Sequence, residues 1–132
     1  MIVRIVYWAS TVLFLAFYAF SVFNYITMPA ESAAGYAAVG YPGHLVSIMT
    51  YVKIAGILAV LVRRPVWLAQ LAYAGFFYHL LLAIDAHISS GIPGFEVGVV
   101  LLVLMLLSWG TQNAARTPDA VYVPDWAKNF GK

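Results

Sequence analysis

The chain of 132 residues contains no cysteine. That removes disulfides, thiolate metal sites, iron–sulfur clusters and c-type haem attachment, and with them any reading of the redox compartment. Charge is nearly as scarce. Charged residues make up 9% of the sequence, where a soluble domain carries about 25%. So few charges cannot cover a water-facing surface of this size, and most of the surface must face lipid. The net charge of +2 is too small to suggest a nucleic-acid partner. What is plentiful is apolar: 64% of the residues are hydrophobic and 16% aromatic. The length suits one membrane domain with no useful room for a second.

Four apolar runs are long enough to cross a bilayer, at about residues 4–27, 44–62, 66–89 and 94–110. They predict an all-α protein, a four-transmembrane-helix antiparallel bundle over residues 1–110, followed by a tail over 111–132. Only Arg63-Arg64-Pro65 separates the second and third runs, so those helices are expected to be antiparallel neighbours. Met28 to Gly43 is the longest connection and reads as a loop, with Gly40-Tyr41-Pro42-Gly43 as a turn signal. Ser89-Ser90-Gly91-Ile92-Pro93-Gly94 punctuates the last two runs in the same way. The first run exceeds the 7 to about 15 residues of a signal-peptide core. Cleavage at Ser32-Ala33-Ala34 is therefore not expected.

If the helices alternate, Arg4, Arg63, Arg64, Arg116, Lys128 and Lys132 fall on one side, and both loops on the other side lack Lys and Arg. The positive-inside rule then makes both termini cytoplasmic, in a multi-pass protein of a bacterial-type inner membrane. In the tail, Trp126 and Phe130 are spaced i, i+4 and would share one face of a short helix at the membrane surface, as an interfacial anchor or a docking motif.

The seventh cation, Lys53, lies near the middle of the second run. A cation at that depth costs at least about 2.5 kcal/mol, and it ordinarily faces a bundle interior and pairs there. Other polar residues join it: Asn24, His44, His79, Asp85, His87 and Glu96. At about 1.5 Å per residue, His79 sits near Lys53 in depth, while Asp85, His87, Glu96 and His44 gather at the outer level as a vestibule. The stripe Ala72, Gly75, His79, Ala83 and Ala86 turns His79 inward and lets a neighbour approach closely. Gly56, on the face of Lys53, would bring the third span within reach of the lysine stem.

Simpler roles compete for most of these residues. Glu96 in a first helical turn is favoured by the helix dipole alone. Asp85 and His87 near the surface are compatible with plain solvation, His44 with a helix start, Asn24 with interhelical bridging and His79 with a satisfied core histidine.

Three chemistries come into question for the interior. His44, Asp85, His87 and Glu96 are of metal-ligating type, but no His pair at i, i+4 and no Glu-x-x-His motif is present, so no metal is expected. Bis-histidine haem requires a second inward histidine at the depth of His79, which is lacking. The third is a pocket for a lipophilic molecule, mostly apolar with a few placed polar groups. Its candidate ligand contacts are Lys53, His79, Tyr78, Phe76 and His87. Its candidate catalytic residues are Lys53, His79, Asp85 and Glu96, since histidine titrates near neutrality and carboxylates can serve as acid or base.

Gly40-Tyr41-Pro42, Lys53 with Gly56, Ala72-Tyr73-Ala74-Gly75-Phe76 and His87 together resemble the pattern of DoxX-like membrane proteins, over about residues 4–110. The family's middle motif usually reads Glu-Trp-Ala-Tyr-Ala-Gly-Phe. Gln70-Leu71 stands here in place of Glu-Trp, so no role of that acid carries over. The resemblance implies a four-helix membrane bundle. Some relatives are membrane subunits of quinone-reducing sulfur-oxidation complexes or partners of redox enzymes, which implies a quinone-like ligand and a redox partner. The expected function is binding of such a molecule near Lys53 and His79, with His79 relaying protons toward Asp85, His87 and Glu96. An intramembrane acid–base enzyme (isomerase, cyclase or hydrolase) and a scaffold subunit for a partner enzyme are the alternatives. Small-residue faces also leave an oligomer open.

Overall fold

Helix α1, Ile2–Thr27, runs uninterrupted because its sequence holds no proline or glycine. It stops at Met28, whose backbone leaves the helical region at φ −132°. The cause is Pro29, which disfavours the helical conformation in the residue before it. In this computed structural model, which describes Met1–Asp125, Pro29 then opens a second helix, α2, Pro29–Ala38. The connection expected as a loop is therefore helical. Proline at the first position, Glu31 in the first turn and five alanines account for it. Gly40, at φ +91°, ends that turn of chain. Gly43 then tucks against α2, where an added Cβ would lie 3.1 Å from that of Ala33.

Three further long helices follow: α3, Leu45–Val62; α4, Val66–Ser90; and α5, Phe95–Ala115. Gly91 closes α4 in the left-handed conformation, at φ +71°. No strand is present among the described residues. Four helices, all but α2, are long and apolar enough to cross a membrane. They close into a ring, with α1 on α3, α3 on α4, α4 on α5 and α5 back on α1. Residues such as Leu13, Phe20, Leu58, Leu71, Leu82 and Val103 remain exposed on its outside, as lipid-facing positions should. This is an integral membrane protein.

The inward positions recur every three or four residues. On α1 they include Tyr7, Thr11, Phe14, Tyr18 and Val22, and on α4 Ala69, Tyr73, Phe76 and Leu80. On α3 only Val46, Lys53 and Val60 are buried, seven residues apart, so the lysine occupies a core position outright. An aromatic cluster fills the centre, with Phe76 5.5 Å from Phe14 and 4.5 Å from Tyr18 between ring centroids. Gly56 admits it: an added Cβ there would lie 2.9 Å from Phe76 Cζ. The close approach expected along the α4 stripe is not made at Gly75, which has nothing within 4 Å of an added Cβ. It occurs instead at Gly98 of α5, where that atom would stand 2.7 Å from Ile84 Cγ1.

Helix α5 continues past Gly110, the end expected from hydropathy. Thr111, Gln112 and Asn113 are helical and buried, and each has a polar partner: Leu107 of the same helix for Thr111, Gln70 and Arg63 for Gln112, and Arg63 and Ala120 for Asn113. Of the tail, Trp126 and Phe130 lie outside the described residues.

Candidate functional site

Lys53 is 4% exposed. Its ammonium donates to Ser21 Oγ and to Tyr25 Oη, both at 2.8 Å. It also lies over two aromatic faces, 4.1 Å from the centroid of Tyr25 and 5.5 Å from that of Tyr18. Each is within cation–π range. The partners thus come from α1 rather than from α4, toward which Gly56 pointed. Tyr18, Ser21 and Tyr25 recur at three- and four-residue spacing, and that alternation was the signal available in the sequence.

The hydrogen bonds continue outward. Tyr25 donates to the hydroxyl of Tyr36 on α2 at 2.9 Å. Burial, and then that hydrogen bond, push the Tyr36 hydroxyl above its ordinary value. The helix hidden in the first connection thereby joins the lysine through one intervening tyrosine. Asn24 contributes its backbone carbonyl, which accepts from Ser32 Oγ at 3.3 Å.

On the other side of Tyr18, its hydroxyl and His79 Nδ1 share a hydrogen bond of 2.7 Å. His79 and Lys53 both line a cleft of about 290 Å³ set between α1, α3, α4 and α5. Its polar groups are completed by Tyr18, Ser21 and His87. His87 is fixed by its own hydrogen bond, Nδ1–H donating to the Ile92 carbonyl at 3.1 Å. Apolar walls come from Leu80, Ala83 and Leu101. Phe17 and Val97 line it too, 44% and 46% exposed, so the cleft reaches the lipid-facing surface. Gly94 and Gly98 leave the α5 wall without side chains.

The remaining candidates are not in this cleft. Asp85 is exposed and accepts from Ser89 at 3.3 Å. Glu96 is exposed in the first turn of α5, where the helix dipole suits a carboxylate. Tyr78 is 65% exposed and faces outward. Phe76 is buried behind Tyr18 as core packing. Asp85 and Glu96, candidate acid and base together with His79, are thus exposed and do not line the cleft that His79 lines. His44 is also exposed, before the first residue of α3. Among the described residues no three of His, Asp and Glu come together as an ion-binding group.

A second polar cluster was missed. Arg63, taken from sequence only as one of the charges on one side, is 2% exposed. Its guanidinium donates to Gln112 Oε1 at 3.0 Å, to Asn113 Oδ1 at 3.3 Å and to the Pro118 carbonyl. Burial pulls it down from its ordinary value, yet an arginine remains a cation. Its backbone takes the left-handed conformation at φ +54°, a position a non-glycine residue holds only under surrounding constraint. Gln70, which stands where the resemblance led us to expect an acid, donates to Gln112 Oε1 at 2.9 Å.

Arg116 caps the end of α3, donating to the carbonyls of Val60, Leu61 and Val62 at 3.2, 2.8 and 3.4 Å. Those are the carbonyls a helix terminus leaves unmet. Arg4 donates to the Ala114 carbonyl at 3.5 Å, which brings the start of α1 to the same end. Nearby, Ser108 joins Thr11 and the Tyr73 hydroxyl. Among the described residues no buried side-chain polar atom lacks a partner, and the bonds of this cluster tie the helix ends together.

Comparison with known proteins agrees with the sequence pattern. The model of the DoxX-like family matches residues 9–111. No curated protein and no solved structure matches the chain.

Proposed function

The chain belongs to the DoxX-like family, and on that premise we propose that it binds a lipophilic, quinone-like molecule in the cleft beside Lys53. The observation that carries this reading is the cleft itself: about 290 Å³, apolar in its walls and reaching the lipid-facing surface, with Lys53 and His79 at its polar end. Binding pockets for small molecules have this composition. Lys53 holds a ligand oxygen by hydrogen bond, and the Tyr18–His79 pair supplies a second polar contact. The protein then acts as a membrane redox component, with the soluble partner docking at the basic end. The bundle is antiparallel in a bacterial-type inner membrane, both termini cytoplasmic. The gathering of Arg4, Arg63 and Arg116 at one end supports that orientation.

The test is mass spectrometry of lipophilic molecules retained after gentle detergent purification. Wild type is compared with Lys53→Met and with Ala83→Phe, which fills the cleft and leaves the lysine in place. One quinone or isoprenoid class enriched in wild type and lost in both folded variants is the expected result. The same molecules retained by a folded Ala83→Phe protein would sink the reading.

A further inference from the structure

The charge balance around Lys53 favours an acidic ligand over the neutral quinone-like one proposed above, and this inference rests on that reading only in taking the cleft as a ligand site. An ammonium carries three donors. Two are taken, by Ser21 and Tyr25, both neutral hydroxyls. Tyr18 and Tyr25 offer ring faces, also neutral. Among the described residues no carboxylate bonds this lysine, and none lines the cleft: its polar lining is Tyr18, Ser21, Lys53, His79 and His87. A buried cation is normally met by an anion. Arg63 at the other end of the molecule has three acceptor groups around it and the carboxylate of Asp119 within electrostatic reach. Lys53 has two acceptors, a third N–H, and a cleft adjoining it.

We infer that the cleft takes an acidic amphiphile: a singly charged oxygen-anion head seated on Lys53, with an apolar tail leaving past Phe17 and Val97 toward lipid. One lysine sets the head at one negative charge. Ser21 and the Tyr18–His79 pair stand by it as neutral polar groups, and Leu80, Ala83 and Leu101 give the tail apolar walls. A carboxylate fits this description, and so does the phosphodiester of a bilayer lipid. The shared chemistry is the monoanionic head.

The experiment is calorimetric titration of the whole purified protein in neutral detergent with dodecanoate, its methyl ester and a neutral decyl-substituted benzoquinone. Dodecanoate is expected to bind at least tenfold more tightly than the ester. Lys53→Met erases that preference, Lys53→Arg keeps it, and Ala83→Phe loses dodecanoate binding with the lysine intact. Displacement of dodecanoate by phosphatidylglycerol in mixed micelles supports the inference with bilayer lipid as the source, and lack of displacement supports it with a free acid as the source. Equal binding of acid and ester overturns the anionic head and leaves the pocket standing, as does quinone binding without dodecanoate. No binding of any probe to monodisperse, folded protein overturns the pocket as well.

Discussion

Lys53 donates to the Tyr25 hydroxyl at 2.8 Å while its ammonium nitrogen lies 4.1 Å from the centroid of that same ring. One side chain thus meets the buried cation both as a hydrogen-bond acceptor and as an aromatic face. That double contact, with Ser21 beside it, is how the bundle tolerates a lysine at a core position of α3.

The two contributions separate by substitution. Tyr25→Phe keeps the ring and loses both the acceptor for Lys53 and the donor to Tyr36, and is expected to cost about 2 kcal/mol, one hydrogen bond to a charged group and one between neutral groups. Tyr25→Leu also loses the ring face, for about 1–2 kcal/mol more at a desolvated site. Reversible unfolding in mixed detergent micelles measures both. A Phe variant as stable as wild type would show that Ser21 and the ring suffice.

Arg63 is held by its side chain against its backbone. Arg63→Ala removes three hydrogen bonds and keeps the unfavourable left-handed conformation, for an expected loss of about 3 kcal/mol. Arg63→Gly removes the same bonds and relieves the backbone, so it should be the milder change by about 1 kcal/mol. Arg63→Lys falls between wild type and Ala, because a point charge cannot serve the Gln112, Asn113 and Pro118 acceptors together. The same unfolding assay ranks the series. Gly no milder than Ala would remove backbone strain from the account.

The α4–α5 contact depends on Gly98. With an added Cβ only 2.7 Å from Ile84 Cγ1, Gly98→Ala is expected to destabilise by about 1–3 kcal/mol through overpacking. Ile84→Ala in the same chain should return most of that loss. Failure of the double variant to recover, at unchanged oligomeric state, would mean that Gly98 matters for another reason.

Orientation can be read with single cysteines, since the native chain has none. Arg64→Cys should resist a membrane-impermeant thiol reagent in intact cells and react once the membrane is opened. Ser90→Cys should react in intact cells. Labelling of Arg64→Cys from outside would invert the orientation.

The spans were legible because the signal is local: each long helix is an apolar run bounded by proline, glycine or arginine. The burial of Lys53 was legible for the same reason, since nothing in its run offers it water. Helix α2 was missed because alanine, glycine and proline were read together as loop composition. The order of those residues, proline first and alanines after, decides helix. Arg63 was missed because a charge beside a turn ordinarily meets solvent. Only the continuation of α5 to Ala115 and the return of 116–120, with Asn113 bonded to the backbone of Ala120, enclose it.

By itself the sequence determined that this chain holds four apolar runs able to cross a membrane as helices, and which side chains are too polar to face lipid. Those properties follow from transfer free energies that accumulate residue by residue along the chain. The tertiary structure decided which polar groups meet. It set Tyr25 and Ser21, not a residue of α4, against Lys53; it left Asp85 and Glu96 exposed and outside the cleft that His79 lines; and it left that cleft beside the lysine. Each of those outcomes depends on how the helices are rotated and how closely they approach, and hydrogen bonds are too short and directional to be inferred from depth alone.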